Sequence, residues 1–286
     1  RLAEEQVPGA DPAAWFGIAP VSTDQPLWSG DQDVPLSPST LEAASTCALR
    51  WALEAAGGRA AESREQSLGT LVHEIAAALP AGTRDELERA LDARWEALGL
   101  PEGWVGQAQR RRALSMIGHL AGYLGRGADV VGVEEKFEAR LGKVLLRGTV
   151  DRLERGPVGP DGRPRLRVVD LKTGRSPVPK AEAARHAQLG AYQAAVDAGA
   201  FDHLLTGAAS GGAALVYVGT DNRACAEREQ VSPTQDADPE WVTEMLDHVV
   251  DAVCRSTVTA TTNSLCRTCP VTRSCPAQPE GRVVGQ

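Results

Sequence analysis

The chain has 286 residues, 42% hydrophobic and 24% charged, with a formal net charge of -8. That is enough apolar material for a real core. No stretch approaches the roughly 20 apolar residues of a membrane span, and the start lacks the basic-then-apolar pattern of a secretory signal, so a soluble cytoplasmic protein without membrane contact is expected.

Residues 1–36 open at Arg1 without a methionine, are rich in Pro, Gly and Asp, and show little periodicity. They read as a linker or the tail of a preceding domain, followed by one domain over 37–280 and a short tail at 281–286. "SPSTLEAASTCALRWALEAAGG" predicts one helix entered at Ser37, with Pro38 at its first position, Cys47 in its middle and a stop at Gly57-Gly58. Leu68, Leu71, Val72, Ile75, Ala76 and Leu79 recur at helical spacing and predict a second helix; His73 then falls about 130° from the centre of that stripe, on its flank. Two more helical segments follow, over 84–98 and 107–124.

From Val130 the texture turns to β-type runs. "VVGVEEKFEARL", "KVLLRGTVDRLER" and "RLRVVDL" predict an antiparallel meander, its turns at Leu141-Gly142 and in "GPVGPDGRP". "AEAARHAQLGAYQAAVDAG" predicts a helix ending near Gly199, and "GAALVYVG" a buried strand. In "PEWVTEMLDHVVDAVC", Trp241, Met245, Leu246, Val249 and Val253 line one side of an amphipathic helix. The class is mixed α/β, a central mixed sheet flanked by helices, without internal repeats.

The overall acidity argues against a nucleic-acid binder, but its distribution does not. Between Arg140 and Arg185 twelve Lys/Arg stand against five Asp/Glu, a local +7. A basic stripe that steers polyanions is expected there, with Arg163, Arg165 and Arg167 within it.

In a strand, residues i and i+2 share a face, so Asp170 and Lys172 emerge together at the end of an otherwise apolar face formed by Leu166 and Val168. Asp151 sits in the middle of the preceding β run, where burial disfavours an acid. An Asp-x-Lys at a strand end is by itself commonly a surface ion pair. Two aspartates on neighbouring strands with a lysine beside one of them, however, can hold Mg²⁺ and a water. Arg185, Gln188 and Tyr192 are spaced to form one polar face on the helix that follows. Near the C-terminus, Cys266, Cys269 and Cys275 form C-x2-C-x5-C, a metal-site spacing in a cytosolic chain. A fourth ligand is required, for which Cys254 and Cys47 both stand as candidates, and spacing leaves zinc and iron-sulfur open.

The set "LVHEIAAAL", "VEEKF", "GTVDRL", "VVDLKTG" and "QLGAYQ" resembles the RecB-type branch of the PD-(D/E)XK nucleases over about residues 37–280. It is most similar in feel to the nuclease domains of AddAB and AdnAB helicase-nucleases. The resemblance implies a restriction-endonuclease-like core, Asp151 and Asp170 as ligands of Mg²⁺ or Mn²⁺ with the Leu171 carbonyl a third, and Lys172 as the catalytic lysine. His73 would be a further ligand or its support, Glu134 or its neighbour Glu135 the strand glutamate, and Gln188 and Tyr192 the residues that shape the site and contact DNA. It also implies a [4Fe-4S] cluster held by Cys47, Cys266, Cys269 and Cys275 with its binding segment at 254–280, zinc being the alternative. The expected activity is hydrolysis of single-stranded DNA in double-strand break repair, near the nucleoid, beside a helicase motor and a partner subunit. A catalytically silent DNA-docking module is the alternative, and a plain zinc-ribbon binder would leave the strand-borne acids unexplained.

Overall fold

A computed structural model describes residues 1–7, 9–11, 24–29, 32–58, 64–100 and 103–281. The rest of the expected linker and tail, residues 8, 12–23, 30–31 and 282–286, lies outside the described residues. The chain divides into two compact units: Pro35–Glu42 with Ala61–Asp247, and Arg1–Val34 with Ala43–Ala60 and His248–Gln286.

The elements run β1 (Val34–Leu36), α1 (Pro38–Thr46), α2 (Ala48–Ala55), α3 (Arg64–Ala78), α4 (Arg84–Trp95), α5 (Trp104–Leu124), β2 (Val130–Leu141), β3 (Val144–Gly156), β4 (Arg165–Lys172), α6 (Lys180–Ala183), α7 (Ala187–Asp197), β5 (Ala209–Tyr217), β6 (Ala226–Gln230) and α8 (Trp241–Val253). One mixed sheet runs β1-β3-β4-β5-β6, with β2 also paired to β3. β2, β3 and β4 form the antiparallel meander, β4 and β5 are parallel, and β6 returns antiparallel to β5. A parallel pair needs a crossover, and α7 lies in the β4–β5 connection.

The alternation of side chains along β4 divides it between two layers. Val169 and Leu171 join the core built from Leu68, Leu71, Val72 and Ile75 of α3, Leu87 and Leu91 of α4, and Met116, Ile117 and Leu120 of α5. Each such side chain taken out of water contributes about 1.5–3 kcal/mol. Asp170, of the opposite parity, meets Gln188 and Tyr192 of α7. A Cβ on Gly69 of α3 would lie 2.7 Å from Thr173 Oγ1, so only glycine lets α3 come this close to the turn after Lys172.

The last residues of the expected linker form β1 of the sheet, and four further features differ from the sequence expectations. The helix predicted across Cys47 is two helices, because Cys47 is extended (φ -163, ψ 107) and serves as N-cap of α2. The helix predicted from Ala181 to Gly199 is likewise broken, with α6 ending at Ala183 and His186 extended before α7. β6 went unread, since "AEREQ" has neither apolar alternation nor β-branched residues.

The basic stripe is the fourth. Arg163 donates to the carbonyls of Gly207 and Ala208, both at 3.0 Å, and Arg165 donates to Asp161 at 2.8 Å. Arg167 is shared among Glu154, Glu227 and Glu229. Behind them Arg152 and Glu154, both buried, pair at 2.7 Å, and Tyr123 donates its hydroxyl to Glu154. Arg152, Arg165 and Arg167 thus balance carboxylates of the fold, and Arg163 is spent on backbone carbonyls. Substituting Arg152→Met would leave the buried Glu154 only Arg167 and Tyr123 as partners and free the Pro80 carbonyl, so a loss of about 2 kcal/mol is expected in urea denaturation followed by circular dichroism.

Candidate active site

The antiparallel ladder between β3 and β4 ends at Arg152 and Val169, one position short of Asp151 and Asp170. Beyond that point β3 continues to pair with β2, through Val150–Glu135 and Thr149–Lys136. β4 continues with β5, through Asp170–Leu215 and Lys172–Tyr217. The two strands part where the two acids stand. Asp151 bridges the gap, accepting the Leu171 backbone N–H on Oδ2 at 2.7 Å.

On one side of the opening, His73, Glu134 and Asp151 each offer a ligand atom within 4.8 Å of the others. His73 Nδ1 is 3.4 Å from Asp151 Oδ1. Glu134 reaches the group by an unusual backbone: its φ is +48, in the left-handed region, and the β2–β3 register shifts just before it, between Val130 and Gly132. Glu135, paired in register with Val150, instead lies 3.8 Å from His203 Nε2. The strand thus separates two adjacent glutamates that the sequence could not distinguish. Burial and the negative charge of Asp151 raise the Glu134 pKa against the pull of His73. Burial opposes protonation of His73, but Asp151 outweighs it and, with Asp170 and Glu134, raises the imidazole pKa. Crowded acids of this kind are relieved by a cation, and two carboxylates with an imidazole suit a divalent one.

On the other side is a network around Asp170, whose residue exposure is 5%. Its Oδ1 accepts from Gln188 Nε2 at 2.8 Å, with the Tyr192 hydroxyl at 3.5 Å. Gln188 Oε1 in turn accepts from Lys172 Nζ at 2.8 Å, which fixes the orientation of the amide. Lys172 Nζ is also 2.8 Å from Asp170 Oδ2, a buried oxygen with no further partner among the described residues. Burial raises the Asp170 pKa, as does Asp151, and Lys172 opposes both. For Lys172, burial works against the charge and is outweighed by Asp170, Glu42 and Asp151, so its pKa is raised.

Residues 35–276 match the PD-(D/E)XK nuclease superfamily. The chain belongs to this superfamily. PD-(D/E)XK nucleases use divalent metals, and the mixed α/β fold with a central mixed sheet agrees with a restriction-endonuclease-like core. No curated protein matches the chain. Among the described residues no helix is long and apolar enough to cross a membrane.

Within this nuclease fold the predicted residues fall into two clusters: His73 with Asp151, and Asp170 with Lys172, Gln188 and Tyr192. Leu171 links them through its N–H. Arg185 is not part of either. It points to Asp236, at 2.7 and 2.8 Å, and stacks over Trp241, because the chain break before α7 takes it off the Gln188 face. Cys47, Cys266, Cys269 and Cys275 all line one cavity in the other unit, with Arg50 and Asn263. None of the six cysteines is in a disulfide, and Cys225 and Cys254 do not line that cavity. Sequence reasoning missed Tyr217, the register partner of Lys172 on β5, and the pairing of His186 Nε2 with Glu42 Oε1 at 3.2 Å; an acid on the first helix resembles an ordinary solvated charge.

Replacing Glu134 by Gln should weaken Mn²⁺ binding at least about tenfold in isothermal titration, whereas Glu135→Gln should leave it unchanged. The reverse order would assign the strand glutamate to Glu135.

Proposed function

We propose that this domain is a metal-dependent deoxyribonuclease acting mainly on single-stranded DNA, as the nuclease module of a RecB-type helicase-nuclease that processes double-strand breaks. The observation that carries the reading is the meeting of Asp151, Asp170, Lys172 and Gln188 where β3 and β4 part, with His73 and Glu134 alongside.

The donor set suits a hard divalent ion: His73, Glu134 and Asp151 would hold Mg²⁺ or Mn²⁺, with the free lone pair of Asp170 Oδ2 and the Leu171 carbonyl turned to the same task. When bound, the ion lowers the pKa of a water and neutralises phosphate charge. The protein's own groups do the remaining work. Lys172 has a raised pKa, so it acts as a fixed cation and hydrogen-bond donor toward the scissile phosphate, not as a base. An ammonium has three N–H bonds; Gln188 takes one and Asp170 lies beside another, which leaves a donor for the substrate. Gln188 is held by Asp170 and Tyr192, and Tyr192 also donates to the Thr149 carbonyl at 3.2 Å, tying α7 to β3. Tyr192, its pKa raised first by burial and then by Asp170, stays a neutral phenol in this role.

The cysteine cavity is read as the seat of a [4Fe-4S] cluster held by Cys47, Cys266, Cys269 and Cys275. Supporting this, Cys47 Sγ accepts the Thr261 N–H at 3.4 Å and Cys266 Sγ the Asn263 N–H at 3.3 Å, contacts that favour thiolate sulfur. Arg50 lines the same cavity and offsets thiolate charge. Its role is structural, closing a loop of more than 200 residues. The partners follow from the same reading: DNA from unwound ends, a helicase motor and a second subunit.

Asp170→Ala and Lys172→Ala should each lower cleavage of end-labelled single-stranded DNA in Mn²⁺ by about 100-fold or more while the circular dichroism spectrum is unchanged. Retained DNA binding without cleavage by the wild type would establish the docking alternative. Purified under nitrogen, the protein should be brown and hold about four iron atoms per chain, and Cys269→Ala should lose colour and thermal stability together. A colourless protein with one zinc would replace the cluster.

A further inference from the structure

α5 leads from the end of β4 back along the sheet. Tyr123, in its last turn, meets Glu154 and Arg167 in the middle of β3 and β4. Arg112, about three turns earlier, donates Nη2 to the Thr173 carbonyl at 3.2 Å, in the turn directly after Lys172. Continuing toward its start the helix passes that turn, and Trp104 stands a further eight residues on, about 12 Å along the axis. The first turns of α5 therefore overhang the end of the sheet at which Asp170 and Lys172 stand. Two groups there are left unused by the fold. Trp104 is 80% exposed, while Trp51 and Trp241 are buried, Trp28 packs on Trp51, and Trp95 lies beneath Arg110. An indole in water forgoes the burial that its large apolar face offers. Of three successive arginines, Arg110 pairs with Asp92 at 2.7 Å and Arg112 holds Thr173, but Arg111 is exposed and has neither an ion pair nor a hydrogen bond among the described residues. Trp104 and Arg111 are seven residues apart, so they differ by only about 20° around the helix and stand about 10 Å apart on one line, with Gln107 and Ala108 exposed between them.

We propose that this face of α5 is a platform for single-stranded DNA, with Trp104 stacking on an unpaired base and Arg111 holding a phosphate of the same strand. The proposal rests on the nuclease reading, since it puts the platform on the side from which a strand reaches Lys172. The two groups match the two recurring features of a single strand: every base has a π-face, and every linkage carries a negative charge. A duplex keeps its bases stacked on one another and offers the indole no face, so Trp104 selects the unpaired form. Arg111 also differs from Arg152, Arg165 and Arg167, whose charge carboxylates of the fold already balance. Its own charge is left for a polyanion.

The test is the binding of fluorescein-labelled oligo(dT) to the full chain, followed by anisotropy in EDTA so that the strand stays intact whatever the catalytic activity. Trp104→Ala should raise Kd about tenfold or more with an unchanged melting temperature, since the side chain is exposed, and Trp104→Tyr should restore most of the affinity. Arg111→Gln should weaken binding and flatten the dependence of log Kd on log salt by about 0.7. Oligo(dT) should quench the tryptophan emission of the wild type and not that of Trp104→Tyr. An unchanged Kd in Trp104→Ala overturns the proposal and leaves the face to a protein partner. An equal loss of affinity for a duplex of the same length overturns the stacking role. Neither outcome depends on cleavage: a wild type that binds oligo(dT) through Trp104 without cutting it in Mn²⁺ removes the nuclease reading and keeps the platform.

Discussion

Everything at the candidate site depends on two neighbouring strands separating at Asp151 and Asp170. An interior strand pair that stops pairing exposes backbone N–H and C=O groups, which is costly unless they are satisfied elsewhere. Here each strand keeps its other neighbour, and the Asp151 carboxylate takes the Leu171 N–H that the ladder has released. The opening is therefore a fixed part of the sheet, and it brings two acids close to each other. Gly69 admits α3 and with it His73, the left-handed turn at Glu134 adds a third carboxylate, and α7 arrives with Gln188 and Tyr192.

The distribution of charge follows the same division of labour. Most of the arginines that look like a polyanion-binding stripe are engaged within the fold, by Glu154, Glu227, Asp161 or backbone carbonyls. Around the cleft the balance is left incomplete, with Asp151, Asp170, Glu134 and Glu42 facing Lys172 and His73. A protein stabilises its scaffold by completing such pairs and prepares a reactive site by leaving them short of a cation.

What could be read in advance was whatever follows the period of the backbone. Asp170 and Lys172 share a face because strand side chains alternate, and Asp151 stood out as an acid in an apolar run. His73 fell on the flank of α3 because the buried stripe of that helix is regular, and it is indeed only partly exposed. What could not be read were departures from period. Glu134 and Glu135 are chemically identical, and the left-handed backbone at Glu134 sets it apart from Glu135, which keeps its register with Val150. The breaks at Cys47 and His186 lie inside helix-forming sequence and are enforced by segments far away, Asn263 and Thr261 in one case and Gln230 in the other. β6 is a charged edge strand whose pairing with β5 is made by backbone groups.

The break at Cys47 also orders events in time. Thr46 and Cys47 take their partners from Asn263 and Thr261, more than 200 residues later. At ribosomal rates of about 5–20 residues per second, those partners emerge some 10 to 40 s after Cys47 does. Residues 61–247, which carry His73, Glu134, Asp151, Asp170, Lys172, Gln188 and Tyr192, are by then fully synthesised. The unit containing Ala43–Ala60 is thus the last to close, after every strand of the sheet has been made.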